Sequence, residues 1–132
     1  IKKIILSSKK LTKQQIDLKI QGNGKETRSF CYIDDAVEQI FLCSKFGKNK
    51  NIYNIGKNKE ISILNLIKEI ENIIGIKIKI KTNKIQKGSV KRRCPDIKKI
   101  NKFKNKIDTS LKNGLKKTID WYHKDYKYIN TI

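Results

Sequence analysis

Arginine is nearly absent from this chain. Only Arg28, Arg92 and Arg93 carry a guanidinium among 132 residues, although Lys and Arg together number 32. Methionine is missing, and proline, tryptophan and histidine occur once each. A single proline excludes a proline-rich linker. Cys31, Cys43 and Cys94 are odd in number and widely spaced, with no Cys-x-x-Cys and no Cys/His pairing. That spacing excludes a disulfide framework and a zinc site, and it predicts reduced thiols in a cytoplasmic protein. The apolar run at residues 4–6 is far too short for a signal peptide or a membrane span, so no membrane partner is expected. His123 lies in a polar aromatic tail and reads as a surface residue, not a catalytic one. The first residue is Ile1 rather than Met, which predicts a piece of a longer chain.

What the chain has in excess is positive charge. A formal net charge of +20 ordinarily points to nucleic acid or an anionic membrane. However, about half of the residues are Lys, Ile or Asn, whose codons are rich in A and T, and the lysines are spread along the whole chain. Compositional bias accounts for such charge without a nucleic-acid role, and no aromatic RNA-binding signature accompanies it. No specific nucleic acid partner is therefore expected, with a basic nucleic-acid-binding domain as the alternative. Against that background a retained arginine is informative. Its planar fork grips two phosphate oxygens at once, which a lysine point charge cannot do.

Hydrophobic periodicity divides the chain into short elements. Residues 1–11 read as the end of a helix, with Ile1, Ile4 and Ile5 on one face. Ile16, Leu18 and Ile20 alternate with polar residues, the period of a half-buried strand. Gly22-Asn23-Gly24 breaks it as a turn. Residues 27–33 are rich in β-formers and predict a second strand. Asp34 and Asp35 are placed to cap a helix over 35–46, with Val37, Ile40 and Phe41 as its apolar stripe and Gly47 at its end. Residues 52–55 predict a short strand closed by Gly56. Ser62 caps an amphipathic helix over 62–74, in which Ile63, Leu66, Ile67, Ile70, Ile73 and Ile74 fall at helical spacing before Gly75. Ile76, Ile78 and Ile80 alternate with lysines, a strand with one wet face or an edge strand blunted by charge. Residues 85–95 read as loop or extended chain, and Asp96 as the cap of a short helix reaching Phe103. Thr109 or Ser110 caps a final helix over 110–122 that carries Leu111, Leu115, Ile119 and Tyr122. Intermixed strands and helices give an α/β class, with residues 1–126 as one domain and 127–132 as a frayed tail.

The run Gly22-Asn23-Gly24-Lys25-Glu26-Thr27-Arg28-Ser29-Phe30-Cys31-Tyr32-Ile33-Asp34-Asp35 closely resembles a stretch found in the extended short-chain dehydrogenase/reductases. These are the NAD-dependent nucleotide-sugar epimerases, dehydratases and decarboxylases. Four further blocks follow in the family's order. They are Tyr53-Asn54-Ile55-Gly56, Glu60-Ile61-Ser62-Ile63, Arg92-Arg93-Cys94-Pro95-Asp96-Ile97, and the run from Gly114 through Trp121 to Tyr122. Together they cover most of the chain.

The resemblance implies a small α/β carboxy-terminal lobe that binds the nucleotide-diphosphate sugar, with the Rossmann half absent. It implies that Arg28 and Arg93 hold the diphosphate and that Asp96 lies near the nucleotide ribose. Lys19 and Gln21 fall on the family's base-binding edge, and Phe30 faces the sugar. Many relatives carry an aromatic residue where Gln21 stands. The complete enzyme would use NAD to take a hydride from the sugar and return it around epimerisation, dehydration or decarboxylation. NAD would be bound by the missing amino-terminal half, and the full-length enzyme would form a homodimer. This chain carries no Gly-x-x-Gly-x-x-Gly loop after a strand, hence no nicotinamide site of its own. Tyr53 and Lys57 have the spacing of the family's Tyr-x-x-x-Lys pair, but Gly56 interrupts them, so no catalytic residue is assigned. The usual motif ahead of the last helix is also missing at residues 104–108. A non-catalytic remnant of the same fold is a further alternative.

Overall fold

The computed structural model describes Ile4 and residues 15–85, 88–103 and 108–124. The strands are β1 (Gln15–Gln21), β2 (Thr27–Ser29), β3 (Glu60–Ser62), β4 (Lys77–Asn83) and β5 (Arg92–Arg93). The helices with described bounds are α1 (Ile33–Phe46), α2 (Ile63–Ile74) and α3 (Leu111–Lys124), with one 3-10 turn at Ile100–Lys102.

β1 and β4 form a parallel pair in which Ile16 faces Ile78 and Leu18 faces Ile80. Alternation turns these apolar residues toward the core and leaves Lys77, Lys79 and Lys81 on the wet face, as the sequence predicts. α2 closes the core from one side. Its first turn is capped by the Ser62 hydroxyl, which accepts from the Asn65 amide at 3.2 Å, and Gly75 ends it at φ 68°. Leu66, Ile67 and Ile70 of α2 are buried with Ile4, Ile16, Ile78 and Leu115. Burial of a side chain of this size contributes about 1.5–3 kcal/mol. A second sheet of order β3-β2-β5 stands beside this core. The two are drawn together at Gly24, whose carbonyl accepts from the Leu64 amide at 3.0 Å. A Cβ there would sit 2.7 Å from Leu64 Cγ, so the approach requires glycine.

Several expectations give way to the structure. β2 ends at Ser29 instead of continuing to residue 33, and Ile33 already belongs to α1. The chain turns the corner at residues 30–32 because Phe30 packs on the core and Tyr32 packs on α3, where a Cβ at Gly114 would come within 3.3 Å of it. Neither Asp34 nor Asp35 caps α1. Tyr32 holds the cap position without a side-chain bond, and both acids lie in the first turn. Residues 52–55 form no strand. They are held through side chains: the Tyr53 hydroxyl accepts from the Lys48 amide at 3.0 Å, and the Asn54 amide donates to the Asp96 carbonyl at 2.9 Å. A two-residue strand, β5, appears inside the expected loop. The short helix expected from Asp96 is only the 3-10 turn, although the Asp96 carboxylate does accept from the Lys98 amide at 2.9 Å. Ser110, not Thr109, caps α3 by accepting from the Asn113 amide at 3.2 Å. Of residues 1–11 only Ile4 is described, as helical and buried. Residues 104–107 and the predicted tail lie outside the described residues.

The largest departure is the orientation of α1. Val37, Ile40 and Phe41 are 40, 56 and 68 % exposed, whereas Asp35 and Gln39 are buried. Hydrogen bonding explains the inversion. The Gln39 amide accepts from the Gly56 N–H at 2.7 Å and donates to the Gly56 carbonyl at 3.0 Å, as a neighbouring strand would. One turn earlier the Asp35 carboxylate lies 2.8 Å from Lys57 Nζ and accepts from the Thr109 amide at 2.9 Å and hydroxyl at 2.6 Å. Buried polar groups so fully partnered can face inward, and once they do the apolar stripe must face out. Among the described residues, no helix is long and apolar enough to cross a membrane.

Two expectations follow for stability. Gln39→Leu, an apolar substitution at a buried site, should destabilise by about 2 kcal/mol or more because it strands both Gly56 groups, while Phe41→Ser should stay within about 0.5 kcal/mol. Denaturant unfolding of both variants checks this, and the reverse ranking would refute the orientation of α1. The second concerns acid. Burial alone would raise the Asp35 carboxyl, but the bonds from Lys57 and Thr109 hold it below its ordinary value of 3.8. Its contribution is therefore complete above that value and is lost as pH falls through the lower folded value. Thr109→Val removes one of those bonds, so the acid-unfolding midpoint followed by circular dichroism should move to higher pH.

Candidate functional site

β2 is the central strand of the second sheet, and its register sorts the charged side chains onto two faces. Arg28 pairs with Ile61 on β3 and with Arg93 on β5. Paired residues of adjacent strands project to the same side, so the two arginines share one face with Ile61, which packs against the core. Thr27 and Ser29 point the other way, beside Glu60, Ser62 and Arg92. There Glu60 accepts from the Thr27 hydroxyl at 2.8 Å and from Arg92 Nε at 2.9 Å, with Arg92 Nη2 at 2.7 Å. The Thr27 bond first, and Arg92 second, hold the Glu60 carboxyl below its usual range. Arg92 is thus neutralised on its own face.

Arg28 and Arg93 have no carboxylate partner among the described residues. Arg28 is half-buried. Its Nη1 donates to the Thr27 carbonyl at 2.6 Å and the Lys91 carbonyl at 3.3 Å, and its Nη2 to the Val90 carbonyl at 2.8 Å. It therefore staples the chain ahead of β5 against β2 and keeps Arg93 in register beside itself. Arg93 is exposed. Three positive-side residues of the sequence reading thus resolve differently: Arg28 and Arg93 lie side by side, and Arg92 is turned away.

The remaining candidates are dispersed. Asp96 is exposed three residues beyond Arg93, its carboxylate accepting from the Lys98 amide and its carbonyl from the Asn54 side chain. Phe30 is half-buried two residues beyond Arg28 and packs on the core. It also lines a cleft of about 450 Å³ between the β2–α1 corner and α3, with Tyr32, Thr109, Lys117 and Trp121 on its walls. Lys19 and Gln21 are exposed on the other sheet, in register with Lys81 and Asn83. Tyr53 and Lys57 answer to different partners, Tyr53 to Lys48 and Lys57 to Asp35 and Asp108. Cys31, Cys43 and Cys94 are free thiols, and no group of metal-ligating side chains exists among the described residues.

The sequence reading missed Glu60, Gln39 and Lys57 as organising residues. Glu60 carries a signal in hindsight, because it is an acid two residues before a helix cap in a very basic chain. Gln39 and Asp35 also share one helical stripe at i, i+4 spacing.

Comparison with known proteins places the chain. Residues 2–56 match the model of the NAD dependent epimerase/dehydratase family. The UDP-glucuronate 4-epimerase of Thermodesulfobacterium geofontis is 34% identical over 117 residues, which are 87% of this chain and 36% of that protein. The dTDP-D-glucose 4,6-dehydratase of Bos taurus is 34% identical over 121 residues, 81% of this chain and 32% of its own length. The structure of UDP-glucuronic acid 4-epimerase from Bacillus cereus in complex with UDP-glucuronic acid and NAD superposes with a TM-score of 0.78 at 29% identity, covering 93% of this chain and 38% of that one. The chain thus spans about a third of the length of these relatives. With sequence and architecture in agreement over most of its length, this chain belongs to the NAD-dependent epimerase/dehydratase family.

Proposed function

We propose that the chain is the nucleotide-sugar-binding lobe of an NAD-dependent epimerase or dehydratase, and that Arg28 and Arg93 hold the diphosphate. The observation that carries this reading is their pairing on one face of β2 and β5, without a carboxylate to quench them. A diphosphate offers two adjacent anionic groups, and two guanidinium forks on neighbouring strands match them more closely than scattered lysines do. Three carbonyls pre-order Arg28, so less freedom is lost when an anion binds. Asp96, close along the chain to Arg93, is the candidate for the ribose, Phe30 for the sugar, and Lys19 and Gln21 for the base. In this reading the lobe does positioning work, and the bond-making chemistry lies elsewhere.

NAD does not fit the described residues. A dinucleotide needs glycines at a strand-to-helix junction so that the backbone approaches the pyrophosphate. The β2–α1 junction reads Phe30-Cys31-Tyr32, and β3 runs directly into α2 at Ser62. Neither offers that approach, and no hydride step is assigned to this chain. The outward apolar stripe of α1 supports a lobe that works against a larger body. The relatives are about three times as long as the stretch they share with this chain, and we infer that the remainder of such an enzyme would cover Val37, Ile40 and Phe41.

Calorimetric titration with UDP tests the grip. Arg28→Lys and Arg93→Lys each keep the charge and lose the fork, and each should weaken binding by about 1–3 kcal/mol. Arg92→Lys, on the opposite face, should change it little. Unchanged UDP affinity in both of the first two variants would overturn the assignment.

A further inference from the structure

The corner at residues 30–32 joins the strand that bears Arg28 to α1, and one residue holds both of its ends. At the strand end the Ser29 hydroxyl donates to the Lys57 carbonyl. At the helix end Lys57 Nζ lies 2.8 Å from the Asp35 carboxylate. The same ammonium donates to Asp108 Oδ1 at 2.7 Å and to the Thr109 carbonyl. The backbone of Lys57 is itself fixed, because the preceding Gly56 is clamped on both sides by Gln39. No other described residue bonds to both ends of the corner.

An ammonium has three donors, and all three have acceptors here. With its side chain only 15 % exposed, Lys57 has nothing left to offer a ligand. β2, however, is three residues long and β5 two, too short to hold their register by backbone bonds alone. A two-fork grip on a diphosphate depends on that register, since a misplacement of about 1 Å is costly to a positioned contact.

We propose that Lys57 is a positioning residue for the arginine pair: by tying Ser29, Asp35 and Thr109 together it fixes the corner beside Arg28 and so sets the affinity for a nucleoside diphosphate. This rests on the diphosphate reading of Arg28 and Arg93.

The test is UDP titration of the full chain, with the folded fraction read by circular dichroism in the same buffers. Lys57→Arg retains a cation and should bind UDP within about twofold of wild type, whereas Lys57→Met should bind about tenfold more weakly while remaining folded. The pH profile separates positioning from general damage. The groups around Asp35 are Lys57, Thr109, Cys31 and Asp108, with Lys59 beside Asp108, and burial keeps the Cys31 thiol protonated. Without Lys57 the buried Asp35 is an unpaired anion that protonates more readily. The deficit of Lys57→Met relative to wild type should therefore shrink on going from about pH 8 to about pH 5. A second signature is coupling: losses in the double variant Arg28→Lys/Lys57→Met should be less than additive, because Lys57 acts through Arg28. If Lys57→Met does not fold, Asp108→Asn, which weakens the Lys57 anchor at an exposed residue, carries the same comparison with Arg28→Lys. Additive losses, or full UDP affinity in folded Lys57→Met, overturn the proposal. If Arg28→Lys and Arg93→Lys both leave UDP binding intact, the diphosphate reading fails instead.

Discussion

The described fold turns on a contact between two residues of one helix and two of an irregular segment. Asp35 and Gln39, one turn apart on α1, grip Lys57 and Gly56 in succession. The segment after residue 51 has no strand to satisfy its backbone, and Gln39 supplies a substitute strand edge through both ends of its amide. Asp35 then anchors the cation that follows and, through Thr109, the start of α3. Remove this contact and α1, the corner ahead of it and α3 lose their common reference. The contact also sets a direction: with its polar stripe inward, α1 cannot bury its apolar one.

That inversion marks the limit of what periodicity can tell. The pattern around β1, α2 and β4 was readable because each has one apolar face and one charged face, and the core takes the apolar one. Ser62 and Gly75 fixed the ends of α2 for reasons local to the backbone. In α1 the spacing of Val37, Ile40 and Phe41 is equally clear, but which stripe faces inward depends on Gly56 and Lys57, about twenty residues away. Chain-local reasoning has no access to such partners. Asp35 likewise looks like a cap until Thr109, 74 residues later, proves to be its partner. Residues 52–55 and 92–93 failed in opposite senses for one reason: strand pairing belongs to two segments at once.

The candidate site was legible in a different way. The resemblance singled out Arg28 and Arg93, and the rarity of arginine gave an independent reason to look at them. The rarity of arginine does not separate Arg93 from its neighbour Arg92, whereas the resemblance does so by position in the motif alone. The sheet does so physically, because consecutive residues of a strand point to opposite faces, and Glu60 waits on one of them. Lys19 and Gln21 show the converse. Sequence proximity to the Gly22–Gly24 turn brings them near β2 along the chain, yet their sheet is a different one.

A chain of net charge +20 raises the question of why any two cations should matter. Most of its lysines stand on solvated faces, where each is screened and mobile, and several are already paired, as Lys81 is with Asp17 at 2.7 Å. A diffuse positive field attracts any anion and fixes none. Selectivity needs cations that are held before the ligand arrives, at a spacing the ligand matches, and without an internal acid to compete. Arg28 meets the first condition through three carbonyl acceptors, the β2–β5 register supplies the second, and Glu60 meets the third by engaging Arg92 instead. The surplus of lysine therefore does not obscure the proposed diphosphate grip. It leaves the guanidinium pair on one face of β2 and β5, with Arg28 held in advance, as the feature that the background charge cannot imitate.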